Sequence, residues 1–152
     1  MLRKLLYLLP TILLLSLFFV QPLLANSHQE YTVLRVVDGD TIDLVNGERV
    51  RLLGINAPEV GQPLYQEAAD ALTKMVESRK VELEKDPEQN KDKYGRFLRY
   101  VFVDGQLINE ELVRRGLAWM TAENSSKHFS ILKQAEQEAI MERLGVWSTS
   151  SS

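Results

Sequence analysis

Asn46-Gly47, set between two runs rich in β-branched residues at 41–45 and 49–55, limits the possible folds more than any other dipeptide in this chain. Such a pair between strand-like runs reads as an antiparallel hairpin, because glycine accepts the positive φ that a tight turn demands. Residues 31–37 supply a third run, which stops at the turn dipeptide Asp38-Gly39. The expectation is a three-stranded meander with Asp38 and Asp40 at one of its turns. Gly54 allows a bend or a close backbone approach near the end of the third strand, and Pro58 stops the sheet.

Helical and strand periods alternate after that. Pro63 suits the first turn of a helix, and Leu64, Ala68, Ala71, Leu72, Met75 and Val76 follow at helical spacing as one apolar stripe. Val81 and Leu83 alternate with charges over 80–85, the pattern of a half-buried strand. Residues 86–95 hold one proline, one glycine and five charges and read as a polar, mobile loop. Another strand is expected over 97–103, closed by a turn at Asp104-Gly105. Asn109 is expected to cap a short helix that runs through Arg115 and ends at Gly116. Glu110, Glu111, Arg114 and Arg115 read as its solvated face. The last helix is expected over 128–144, with Leu132, Ala135 and Ala139 inward and His128 as a cap or surface residue. Trp119 and Trp147 read as packing residues. Five strands with one helix between them and two after them predict an α+β domain built on a small antiparallel barrel.

The N-terminus has a different character. Arg3 and Lys4 precede an apolar run from Leu5 to Val20, and Gln-Pro-Leu-Leu-Ala25 follows. This reads as a secretory signal peptide cleaved after Ala25, although Leu23 is larger than the residue preferred there. A retained membrane anchor is the alternative. The expected localisation is therefore secreted or periplasmic, with membrane attachment only if the segment stays uncleaved. With no cysteine in the chain, an exported domain has to be held by packing alone. His28 and the serine-rich segment 148–152 read as disordered ends of the mature chain. Without Arg3 and Lys4, 16 basic residues face 21 acidic ones, a net charge of −5. A protein of that charge cannot hold a polyanion through a global positive field; it needs a local basic site or a metal.

The residues that could supply such a site lie in three segments: Asp38-Gly-Asp-Thr41, Arg51-Leu-Leu-Gly-Ile-Asn-Ala-Pro-Glu59 and Asp92-Lys-Tyr-Gly-Arg96. Each alone has a structural explanation as a turn, a strand end or a solvated loop. Together they match what phosphodiester cleavage needs: an activated water, stabilisation of charge on the phosphoryl oxygens, and help for the leaving group. Asp40 can hold a hard, oxygen-seeking cation such as calcium, and the Ala57 carbonyl can complete its shell. Glu59 can orient or deprotonate a water. Arg51 and Arg96 can each offer a forked donor pair to one phosphate and stay charged at any working pH.

From Thr32 to Trp147 the chain resembles the staphylococcal nuclease (thermonuclease) family, in DGDT at 38–41, RLLGINAPE at 51–59, DKYGR at 92–96 and DGQLINEELVRRGLA at 104–118. The resemblance implies a domain over 26–147 with a five-stranded OB-type β-barrel and three helices. It further implies a calcium-dependent enzyme that cuts DNA and RNA and leaves 3′-phosphates. On it, Asp40, Asn56 and Ala57 are the metal positions, and Glu59 activates the water. Arg51 and Arg96 neutralise the phosphate and its transition state, and Lys93 and Tyr94 contact a second phosphate. Three positions depart from the pattern. Asn56 stands where the family's best-known member has an aspartate, which predicts weaker calcium binding because affinity follows ligand charge. A lysine-rich loop after the glutamate is reduced to Val60-Gly-Gln-Pro63, and tyrosines expected after the second helix are absent, leaving Trp119 as the nearest aromatic. No stable protein partner is expected, and the domain is expected to be a monomer. A non-catalytic binding module on the same fold is the alternative reading.

Overall fold

The structure, a computed structural model, describes residues 29–148; the expected signal peptide, His28 and most of the serine tail lie outside them. Strand β1 (Glu30–Asp38) pairs antiparallel with β2 (Thr41–Leu44), and β2 with β3 (Arg49–Leu52). The β2–β3 turn is closed by the Gly47 N–H to the Leu44 carbonyl at 3.0 Å, with Gly47 at φ 88°. On its other side β1 pairs with β5 (Lys80–Glu84), and β5 with β6 (Phe97–Val103), again antiparallel. The barrel then closes by a parallel pairing of β6 with β3, with Arg51 in register with Leu98. The expected five-stranded barrel is present, and this last seam makes it mixed rather than wholly antiparallel. Two strands distant in sequence meet there, so no hairpin signal could announce their direction.

The third strand is shorter than the hydrophobic pattern suggests. It breaks at Gly54, φ 76°, and resumes as the short β4 (Ile55–Asn56), which pairs with β8 (Trp119–Met120). A Cβ at Gly54 would stand 3.1 Å from both the Ala122 Cβ and a Leu132 methyl, so the expected close approach is what the chain makes here. The strand leaves the barrel in this way and carries residues 55–59 over its end.

Three helices cover the barrel among the described residues. Helix α1 (Tyr65–Val76) begins two residues after Pro63 and buries Ala68, Leu72 and Val76. Helix α2 (Ile108–Arg114) ends at Gly116, φ 66°, as its sequence predicts, and a two-residue strand β7 (Gln106–Leu107) precedes it. Helix α3 (Phe129–Met141) buries Leu132, Ala135 and Ala139 and stops three residues before the expected end, where Arg143 turns to φ 55°. A 3₁₀ turn, Gly145–Trp147, follows. The core is continuous from Val33, Ile42 and Val50 in the barrel through Leu72 of α1 to Leu112 and Leu132 of α2 and α3.

Three side chains behave differently from their sequence reading. Asn109 is not a cap: it lies inside α2, fully buried, with Oδ1 accepting the Val101 N–H at 2.9 Å. Its Nδ2 donates to the Leu53 carbonyl at 2.9 Å. It thereby satisfies backbone groups on both sides of the β3–β6 seam, which burial would otherwise leave unpaired. His128 stands at the N-cap of α3, but its ring makes no cap bond. Instead Nε2 meets Glu84 Oε1 at 2.6 Å, and the ring lies edge-on to Tyr100. Burial works against the Glu84 carboxylate, but hydrogen bonds from Lys127 and His128 hold its pKa below the usual range. The charged face of α2 is also less solvated than expected, since Arg114 reaches Glu138 of α3 at 3.2 Å as well as its own-helix glutamates.

Candidate active site

The turn between β1 and β2 places Asp40 at the barrel end. Asp38 Oδ1 accepts the Asp40 N–H at 3.1 Å, and the Leu52 N–H donates to the Asp40 carbonyl at 2.8 Å. Asp40 is 6% exposed. Its Oδ2 accepts the Ala57 N–H at 2.7 Å, and its Oδ1 accepts the Thr41 hydroxyl at 3.1 Å. Arg51, across the β2–β3 ladder from Thr41, brings Nη2 to 3.2 Å from Asp40 Oδ2. Burial raises the Asp40 pKa to about 6; Arg51 and the Ala57 N–H act against the rise, and Asp38 adds to it.

Arg51 is the hub of the cluster. Its Nη1 donates to the carbonyls of Leu52 at 3.1 Å and Ile55 at 3.0 Å, bracketing the Gly54 turn. Its Nη2 also donates to Asn56 Oδ1, so one guanidinium nitrogen touches both an Asp40 and an Asn56 oxygen. Among the described residues no three His, Cys, Asp or Glu side chains cluster as a metal site. The donors here are one carboxylate, one amide oxygen and the peptide carbonyls beside them. These hard oxygens suit calcium or magnesium better than a softer ion, and the donors converge where a positive group already sits. By donor type the set suits a hard divalent cation, with a single negative charge to hold it. Arg51 Nη2 stands where the Asp40 and Asn56 oxygens meet, so an ion there would need the guanidinium to give way.

Glu59 follows on a turn closed in both directions, its N–H donating to Gln62 Oε1 at 2.7 Å and the Gln62 N–H to its carbonyl at 2.9 Å. The glutamate is exposed and makes no ion pair among the described residues. The shortened segment 60–63 thus acts as a brace for Glu59, a role its composition does not announce.

Segment 86–95, expected to be mobile, is pinned at both ends. Asp86 accepts the Glu88 N–H at 3.0 Å and the Lys127 N–H at 3.3 Å, while Arg99 Nη2 donates to Asn90 Oδ1 at 3.0 Å. Asp92 gathers the motif that follows: Oδ1 accepts the N–H groups of Tyr94 at 2.9 Å and Arg96 at 3.0 Å, and Oδ2 takes Arg96 Nε at 2.6 Å. Burial opposes ionisation of Asp92, but these bonds from Arg96 and Tyr94 hold its pKa below the usual carboxylate range. The Tyr94 ring is exposed, with Lys93 Nζ 5.0 Å and the Arg96 guanidinium 5.5 Å from its centre.

The structure thus joins Asp40, Arg51, Asn56 and Ala57 in one bonded cluster, with Glu59 three residues beyond Asn56. Arg96, Lys93 and Tyr94 form a second group, linked to the first through the β3–β6 seam. Trp119, half-buried, lies directly across the β4–β8 ladder from Asn56. Sequence reasoning missed Arg35, Asp43 and Arg49, which form an ion-paired trio on the outer face of β1–β3. The available signal was the spacing of Arg49 and Arg51, two residues apart and so on one face of a strand.

A closed five-stranded barrel whose end carries a buried carboxylate, an arginine hub and an exposed glutamate defines an OB-type domain equipped for an anionic ligand. The family model for staphylococcal nuclease homologues matches residues 49–149, and the chain belongs to that family. It is 39% identical over 129 residues to a thermonuclease of Staphylococcus intermedius, covering 78% of this chain and 76% of that protein. It is 39% identical over 130 residues to the SPbeta prophage-derived endonuclease YokF of Bacillus subtilis, covering 78% of this chain and 44% of that one. Endonuclease YncB of the same organism is 38% identical, with 78% and 62% covered. The chain thus spans about half the length of these two Bacillus relatives.

Proposed function

We propose that the protein is a secreted or periplasmic, calcium-dependent nuclease that hydrolyses phosphodiester bonds of DNA and RNA and leaves 3′-phosphate ends. The observation that carries this reading is the convergence of Asp40 and Asn56 oxygens on one nitrogen of Arg51, with the braced Glu59 three residues further along the chain from Asn56. The family relationship and the names of its relatives support it.

Asp40, Asn56 and the Ala57 carbonyl would hold calcium. When bound, the ion supplies Lewis-acid charge to a phosphoryl oxygen and lowers the pKa of water. Glu59 orients the attacking water and takes its proton. Arg51 and Arg96 neutralise the phosphate and the growing charge of the transition state, where fixed donors in a protected site do most. Lys93 and Tyr94 hold the next phosphate and set the register of the strand. The test is purified 26–152 on single-stranded DNA and on RNA, with calcium and with chelator, followed by end-group analysis. Calcium-dependent cleavage with 3′-phosphate ends is expected on both. Absence of cleavage at millimolar calcium sinks the reading and leaves a binding module, the alternative favoured by the neutral Asn56.

A further inference from the structure

We propose that Arg35 and Arg49, flanked by Tyr94 and Arg96, form a further phosphate-binding site that holds the nucleic-acid strand beyond the phosphates assigned to Arg96 and Tyr94. The inference rests on the nuclease reading above and extends the substrate path beyond it.

These residues line a groove of about 660 Å³ on the outer face of the β1–β2–β3 meander, with Leu34 in its wall. The ladder explains their placement. Arg35 is in register with Asp43, and Asp43 with Arg49, so the three side chains stand in a row across neighbouring strands. Along β3, Arg49 and Arg51 share a face about 7 Å apart, the two-residue step of a strand. Val50 is in register with Phe97 and Arg51 with Leu98 across the parallel seam, so one step back brings Arg49 level with Arg96. A line of guanidiniums therefore leads from the candidate catalytic Arg51 through Arg49 to Arg35, with Arg96 beside it.

Charge balance for Asp43 does not explain the trio. Arg49 already neutralises that carboxylate, from Nε at 2.6 Å and Nη2 at 3.0 Å. Arg35 adds a second cation on Oδ2 at 2.7 Å, leaving a net positive charge. The shared carboxylate clamps two otherwise floppy side chains, and their remaining N–H groups have solvent to face: Arg35 is 59% and Arg49 46% exposed. Planar, preoriented guanidiniums are the groups best matched to phosphate oxygens. The exposed Leu34 and Tyr94 supply apolar surface on which sugars and bases can rest. In a chain of net negative charge, such a local row is where a polyanion is held.

The experiment compares the parent with an Arg35→Gln/Arg49→Gln double variant on a thymidine dinucleotide and on a twelve-residue oligothymidylate. The dinucleotide has one phosphodiester, which Arg51 and Arg96 take, and no further phosphate for Arg35 and Arg49. Its kcat/KM is expected to stay within about twofold, while KM for the oligomer rises about tenfold. The slope of log KM against log salt should fall by about 1.4, from two lost contacts to a single strand. A double Arg→Lys variant should keep most of that slope. Equal losses on both substrates, no loss on either, or a lysine variant that loses as much slope as the glutamine one would overturn the proposal. A parent that cleaves neither substrate would remove the nuclease reading instead. Anisotropy of a labelled oligomer then judges the groove alone, with weaker binding by the glutamine variant expected and unchanged binding contradicting it.

Discussion

The Ala57 N–H donates a 2.7 Å hydrogen bond to Oδ2 of Asp40, a residue 17 positions earlier on a different strand turn. This bond ties the start of β2 to the segment that carries Asn56 and Glu59, so the carboxylate and the loop are positioned by each other. Gly39 makes the approach possible. A Cβ there would lie 2.6 Å from the Ala57 Cβ and 2.7 Å from the Ala68 Cβ, closer than side chains tolerate.

Gly39→Ala should therefore push Ala57 away from Asp40 or lift α1 from the barrel. Overpacking of this kind costs about 1–3 kcal/mol. Chemical denaturation should show that loss, and calcium affinity should fall with it. A variant with parental stability and parental calcium binding would mean that the Asp40–Ala57 contact does not organise the site.

Asp40 sets a pH dependence whose sign is unusual for a carboxylate. Its pKa in the fold is raised from 3.8 to about 6, mainly by burial. The folded state therefore holds the proton more tightly than the unfolded chain. The stability this contributes is fully present below about pH 4 and is lost as pH rises through 6, about 3 kcal/mol in all. Asp43, through hydrogen bonds from Arg49, is shifted the other way and stabilises the fold above its unfolded value. The difference between parent and Asp40→Asn isolates the first effect. In chelator, the variant should gain on the parent by roughly that amount between pH 4 and 7. Parallel stability curves would contradict the burial account. Calcium affinity of the parent should also weaken below about pH 6, where protons compete for the carboxylate.

Asn109→Ala removes the amide that pairs with Val101 and Leu53 across the β3–β6 seam. Two buried backbone groups would be left unpaired, at a cost of about 3 kcal/mol. Urea unfolding should show the loss, and Asn109→Asp should not restore it, because a carboxylate cannot donate to the Leu53 carbonyl. A change below about 1 kcal/mol would mean that neighbouring groups or water take over these bonds.

How far the molecule could be read from its sequence depended on the range of the interactions. The Asn46-Gly47 hairpin, the α1 stripe from Ala68 to Val76 and the Gly116 stop are local patterns, and the structure follows them. Asn109 was misjudged because an asparagine at a helix start has a common local use, whereas its partners here lie 8 and 56 residues away. The parallel β3–β6 seam and the Glu84–His128 contact were hidden for the same reason. Within the site, the three motifs pointed to Asp40, Arg51 and Glu59 as candidates, and the structure joins Asp40 and Arg51 in one cluster. The motifs could not show that Arg51 grips Asn56 and brackets the Gly54 turn, nor that Gln62 braces Glu59.

The most direct test of the central claim is the turnover of Glu59→Gln on single-stranded DNA at saturating calcium, with calcium binding measured on the same preparation. Loss of a proton acceptor at the attacking water should lower kcat by about 10²–10⁴-fold. Calcium affinity should be retained, because the proposed calcium positions, Asp40, Asn56 and Ala57, do not include Glu59. A variant that cleaves at the parental rate, or one that loses activity only because it no longer binds calcium, would contradict the role assigned to this glutamate.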